Sequence, residues 1–179
     1  SKNEVFVHPL ERAGKSVTDK LSAIREKMDK LGATAHVISS LDDVAWTLNL
    51  RGSDVEANPV FLGYIYVTLN DAILFVDLDK LNEDARRQMD ASHVKMAPYA
   101  DFYAFLKDVK NEKVLLSPTT NQAIYNTLAA QNTFVKAAVP GNLMKAQKND
   151  AELAGFRTVM ERDGVGMVKF LYWLTHNVG

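Results

Sequence analysis

Residues 60–77 read VFLGYIYVTLNDAILFVD. Two runs of apolar, β-branched and aromatic residues, 60–68 and 72–77, flank Leu69-Asn70-Asp71, and that pattern predicts two antiparallel strands joined by a short turn. Downstream the pattern changes type in regular order. A helix is expected over 82–91, a strand over 93–97, and a helix after Pro98 carrying Phe102, Phe105, Leu106 and Val109. A strand over 113–117, a helix over 122–130 and a strand over 133–137 follow. Strands alternating with helices imply right-handed crossovers. The expected class is therefore α/β, a mixed β-sheet with helices on both faces, in which the hairpin supplies the antiparallel part.

Upstream, residues 3–15 read as an irregular lead-in with a His8-Pro9 turn and Gly14. Val17, Leu21, Ile24, Met28 and Leu31 then recur at steps of three and four, one helical stripe, with Ser16 and Asp19 at its start and Gly32 at its stop. Residues 35–38 predict a short buried strand. Ser40 can cap a helix whose Leu41, Val44, Ala45 and Leu48 share a face. Residues 51–59 (RGSDVEANP) are a loop by composition.

Pro140-Gly141-Asn142 reads as a boundary, and Asn149 with Glu152 three residues later resembles a capping box. Leu153, Phe156, Met160, Gly164, Met167, Leu171, Leu174 and Val178 continue at helical steps to the end. About 28 residues of helix would span ~42 Å. Val165, Val168, Phe170, Tyr172 and Trp173 lie outside that stripe. A helix apolar nearly all round is normally buried on several sides. Either it docks on its own domain and dimerises through the rest, or it opens a further domain. Phe170, Leu171, Trp173 and Leu174 are the candidate interface residues. In isolation the helix is expected to fold back onto the sheet domain or to pair with a second copy.

With 179 residues, 47% hydrophobic and 24% charged, the chain can bury a core without staples. The absence of Cys excludes disulfides and cysteine-zinc sites. A formal charge of -1 gives no broad attraction for nucleic acid or anionic membranes, so neither is expected as a partner. The apolar runs are too short to span a bilayer, and a cytoplasmic location is expected.

Few residues suggest chemistry. His8, His36, His93 and His176 are dispersed, without a metal-binding motif, and are expected to be surface or satisfied structure. Phosphate-cradling and nucleophile-elbow motifs are absent. Asp42-Asp43 and Asp77/Asp79 sit where helices begin, where carboxylates act as caps and favour the positive end of the helix dipole. The loop carries the one open question. Asn49, Arg51, Gly52, Ser53, Asp54 and Asn58 form either a structural corner, with Arg51 pairing Asp54 or capping carbonyls, or the wall of a substrate-access or interface site.

The run DDVAWTLNLRGSDVEANPVF (42–61), followed by GYIYVTLNDAILFVD (63–77), resembles the middle domain of the three-domain aminopeptidases P (Xaa-Pro aminopeptidases) of the creatinase/prolidase family. The resemblance extends through AGKSVTDKLSAIREKM (13–28) and KNDAELAGFRTVMERDGVGMVKFLYWL (148–174). It implies a ribonuclease H-like creatinase N-terminal domain over 1–145, with 1–14 as lead-in. Residues 146–179 would be the first helix of a metallopeptidase catalytic domain. That domain would bind two divalent metal ions, usually manganese, through two Asp, one His and two Glu beyond Gly179. No cofactor, metal ligand or catalytic residue is then expected within this chain, which alone would be inactive. The implied parent removes N-terminal residues preceding proline, with this domain serving domain arrangement, dimerisation and restriction of substrate access. Its partners would be its own catalytic domain, a peptide substrate and a second copy. The rival reading is a free-standing, non-catalytic interaction module that dimerises through its C-terminal helix.

Overall fold

The computed structural model describes residues 3–178. Its centre is a six-stranded mixed sheet. In chain order the elements begin with β1 (Phe6–Val7), α1 (Leu10–Ala13), α2 (Val17–Lys30), β2 (Ala35–Ile38), α3 (Leu41–Leu48) and β3 (Leu50–Arg51). The hairpin β4 (Gly63–Thr68) and β5 (Ala72–Val76) leads to α4 (Glu83–Ala91), β6 (Val94–Pro98) and α5 (Phe102–Asp108). Then come β7 (Lys113–Leu116), α6 (Gln122–Ala129), β8 (Thr133–Lys136), α7 (Pro140–Ala146) and α8 (Asp150–Asn177). The sheet order is β6-β5-β4-β2-β7-β8. β4 is antiparallel to β5 and β2, whereas β5–β6, β2–β7 and β7–β8 are parallel.

The hairpin register pairs Gly63 with Val76 and Val67 with Ala72. Its turn closes through Thr68, whose hydroxyl accepts the amides of Asn70 (3.3 Å) and Asp71 (2.9 Å). Alternation along the strands sends Ile65, Val67, Leu74 and Val76 to one face, under Leu21, Ile24, Met28, Val44, Leu48, Ala85 and Met89 of α2, α3 and α4. Tyr66, Phe75, Ala35 and Val37 face the other side, under Phe102, Leu106, Ile124 and Leu128 of α5 and α6. Helices therefore cover both faces, as the alternating pattern predicts.

Three stretches differ from the sequence reading. The lead-in is ordered: β1 pairs antiparallel with β3, Val5 is buried and bridges to Leu81, and residues 10–13 form a helical turn. Two-residue strands carry no periodicity, so only their distant partners reveal them. Val60 to Leu62 precede the ladder. Val60 and Phe61 are buried to close the loop before β4 rather than to extend the strand. Residues 140–146 form a helix instead of a bare boundary, with Pro140 in the first turn, where its missing N–H costs nothing.

α8 begins with a capping box in which the Asn149 side chain accepts the Glu152 amide and Glu152 returns the contact. The helix does not fold back onto the sheet domain. None of its residues is buried, and from Leu153 to its end every residue except the half-buried Leu174 is exposed. No helix among the described residues is long and apolar enough to cross a membrane.

Candidate functional site

The sequence-derived candidates divide into a loop after α3 and the far end of α8. At the loop, α3 ends because Asn49 takes the left-handed conformation (φ 50°, ψ 41°), which Asn tolerates better than most side chains. Asn49 is 3% exposed and fully used. Its Oδ1 accepts Lys20 Nζ at 2.7 Å, its Nδ2 donates to Lys15 O at 2.8 Å, and its carbonyl accepts the His8 amide at 2.7 Å.

Arg51 caps carbonyls rather than pairing with Asp54. Its Nη1 donates to Ala45 O (3.0 Å) and Leu50 O (2.9 Å), on the last turn of α3 and its exit. Asp54 pairs elsewhere: its Oδ1 meets Lys80 Nζ at 2.5 Å and its Oδ2 accepts the Leu62 amide at 2.9 Å. Gly52 is required by close approach, because a Cβ there would lie 2.8 Å from Phe61 Cβ and 3.3 Å from Val60 O. Ser53 is exposed, with its carbonyl accepting Asn3 Nδ2 at 2.7 Å. The Asn58 amide donates to Val55 O at 3.2 Å, closing a tight turn in which Ala57 has φ 58°. Left-handed backbone costs an L-residue roughly 1–2 kcal/mol, and glycine gives back about 0.5–1 kcal/mol in chain entropy. Ala57→Gly should therefore raise stability by about 0.5–1 kcal/mol and the Tm by roughly 1–4 °C; a lower Tm would contradict the strain.

Arg51 and Asn58, with Asp42, Ala45, Trp46, Pro59, Val60 and Lys145, line an open cleft of about 260 Å³. Lys145 closes one side through Asp43, at 2.7 Å, which ties α7 to the start of α3. Asp43 thus sits in a first helical turn as expected, and also holds an ion pair. Asp77 caps as expected, accepting the Asp79 amide at 3.2 Å.

The residue that sequence reasoning missed is Lys20. It is 2% exposed, donates to Trp46 O (2.8 Å) and Asn49 Oδ1 (2.7 Å), and lies 4.1 Å from the Trp46 ring centroid. Burial pulls its pKa down to about 8; Glu152 opposes this, and Arg51 and Lys15 add to it. A signal was present, since Lys20 stands three residues after Val17 and four before Ile24, inside the apolar stripe. Burial, then Arg51, Lys20 and Arg12, lower the His8 pKa to about 4, and burial also lowers that of Arg51. Glu152 pulls against the shift in all three, so the first turn of α8 faces a basic cluster. His36 is buried in the sheet, its Nδ1–H donating to Leu115 O at 2.9 Å.

At the other candidate, Phe170, Leu171 and Trp173 are about half exposed and Leu174 is half-buried, remote in sequence from the first turn that meets α1. Among the described residues no group of three or more His, Cys, Asp or Glu side chains converges to hold a metal ion.

The Creatinase/Prolidase N-terminal domain family matches residues 1–152. The chain is 37% identical to Xaa-Pro aminopeptidase 1 of Dictyostelium discoideum over 179 residues, covering 99% of itself and 28% of that protein. A probable Xaa-Pro aminopeptidase P of Laccaria bicolor is 38% identical over 180 residues, with 96% and 27% covered. The chain thus spans little more than a quarter of either relative. Among solved structures, the X-prolyl aminopeptidase of Caenorhabditis elegans, described as a cytosolic enzyme with a di-nuclear active site, superposes with a TM-score of 0.91 at 32% identity. That match covers 98% of this chain and 30% of the enzyme.

Proposed function

The chain belongs to the creatinase/prolidase N-terminal domain family, and on that premise we propose that it is the non-catalytic middle domain of a metal-dependent Xaa-Pro aminopeptidase. The parent removes N-terminal residues that precede proline. Residues 1–145 form the middle domain, and 146–179 carry the first helix of the catalytic domain. The observation that carries this reading is the collinear match of nearly the whole chain to Xaa-Pro aminopeptidases of which it spans only 27–28%. The exposed α8 supports it. Phe156, Val159, Met160, Val168, Phe170 and Trp173 are each more than half exposed, an apolar surface that a following domain would bury.

Two divalent ions, manganese by family habit, would reside in the catalytic domain and supply polarisation of the scissile carbonyl and a nucleophilic hydroxide. Among the described residues no group of three or more His, Cys, Asp or Glu side chains converges to hold them. Its contribution is geometric. The Asn49–Asn58 loop is fixed by buried bonds, and a fixed loop can border a peptide channel or a second subunit. A cytoplasmic location and a homodimeric parent belong to the same proposal; the C. elegans enzyme is described as cytosolic.

The native gene read past the Gly179 codon should encode about 200 further residues with two Asp, one His and two Glu. The complete polypeptide with manganese should release the first residue of an Xaa-Pro peptide, and the 179-residue chain should not. Turnover by the short chain, or an in-frame stop after Gly179, overturns the reading. A stop combined with a dimer that Phe170→Asp or Leu174→Asp converts to a folded monomer would establish the interaction module instead.

A further inference from the structure

We infer that the contact between Asn149 and the Ala13-Gly14 corner fixes the direction in which α8 leaves the α/β domain and ties that direction to the loop after α3, making Gly14 and Asn149 positioning residues. The chain leaves α7 through Gln147, whose extended backbone (φ −83°, ψ 92°) carries no helical direction onward. Orientation must therefore come from side chains. Asn149 Nδ2 donates to Ala13 O at 2.8 Å while its Oδ1 accepts the Glu152 amide at 3.0 Å, so one amide holds both the body and the first turn of the helix. Gly14 caps α1 in the left-handed region (φ 70°), and the Asn149 amide occupies the space a Cβ would need.

From that corner the path continues without a gap. Lys15 O accepts Asn49 Nδ2 at 2.8 Å, and Asn49 is the residue that turns the chain out of α3 into Leu50, Arg51 and the loop. Two left-handed residues, Gly14 and Asn49, are thus joined through Lys15. Lys20 locks the second of them from beneath, bonding Asn49 Oδ1 and Trp46 O at 2.7 and 2.8 Å. The Glu152 carboxylate, whose Oε2 accepts the Asn149 amide at 2.9 Å, adds attraction toward Lys20, Arg51 and His8. A domain continuing from α8 would inherit its placement relative to the loop from this corner.

The chain has no native Cys, so spin labels at Asp90→Cys on α4 and Gly166→Cys on α8 report the angle directly by pulsed electron spin resonance. A single narrow distance distribution is expected. Gly14→Ala should shift or broaden it. Asn149→Asp keeps an acceptor for the Glu152 amide but cannot donate to Ala13 O, so it should broaden the distribution while helix content by circular dichroism stays unchanged. A broad distribution in the parent chain, or an unchanged one in both variants, overturns the inference. A second arm rests on the proposed function: in the complete enzyme Asn149→Asp should lower kcat at least about tenfold with KM and bound manganese unchanged, as misplacement of reacting groups does. Failure of the complete polypeptide to cleave Xaa-Pro peptides would sink that reading alone, because the distance measurement stands without it.

Discussion

Asp54→Ala is expected to lower the unfolding free energy by about 3–5 kcal/mol, the usual consequence of removing one partner from a buried ion pair. The Asp54 side chain is 3% exposed and Lys80 8%, with 2.5 Å between the charged atoms. The variant strands the Lys80 ammonium and deprives the Leu62 amide of its acceptor, which joins the loop to the entrance of β4. Against a typical total of about 5–15 kcal/mol that is a large share. Urea denaturation at neutral pH measures it. Asp54→Asn keeps an acceptor but removes the charge, and should fall between wild type and Asp54→Ala. A loss below about 1 kcal/mol for Asp54→Ala would show that the pair does not hold the loop.

His36 should make the domain acid-labile by about 3 kcal/mol. Its ring is 1% exposed in β2, Nδ1 donates to Leu115 O, and Nε2 finds no partner among the described residues. Burial, the largest influence, lowers its pKa from 6.5 to about 4 despite the opposing backbone contact and Asp43. The folded protein therefore keeps a neutral ring where the unfolded chain takes up a proton. The contribution is complete above pH 6.5, declines as pH falls, and is exhausted near pH 4. The distance from 6.5 to about 4, at about 1.36 kcal/mol for each tenfold change in proton affinity, sets the size. Chemical denaturation at pH 7, 5.5 and 4 should show the decline, and His36→Leu should flatten much of it. His8, lowered in the same direction but half-exposed, contributes in the same window with solvent screening. An equal slope in His36→Leu would remove His36 as the cause.

Much of the molecule was legible because its signals are local. The hairpin shows in two β-branched runs and three turn residues. α2 shows in a five-residue stripe with Ser16 accepting the Asp19 amide at 3.1 Å, and α8 in the Asn149/Glu152 box. The candidate loop was found by its composition, yet its inner logic was not. Arg51 and Asp54 stand three residues apart, so the sequence left open whether Arg51 pairs with Asp54 or caps carbonyls. The fold instead turns Arg51 back to the carbonyl of Ala45, and brings Lys80 to Asp54 from 26 residues away.

The amino-acid order by itself determined the α/β class, the helices on both faces and a terminal helix apolar on too many sides, because periodicity, caps and turn chemistry act over a few residues; the family came from the resemblance of whole stretches such as 42–61 and 63–77. Only the tertiary structure decided that β1 pairs with β3, that Lys20 lies buried beneath Asn49, and that α8 stands exposed on a corner made by Gly14 and Asn149. Those features depend on groups 29 to 136 residues apart in the chain meeting after the core has closed, and no local pattern encodes such a meeting.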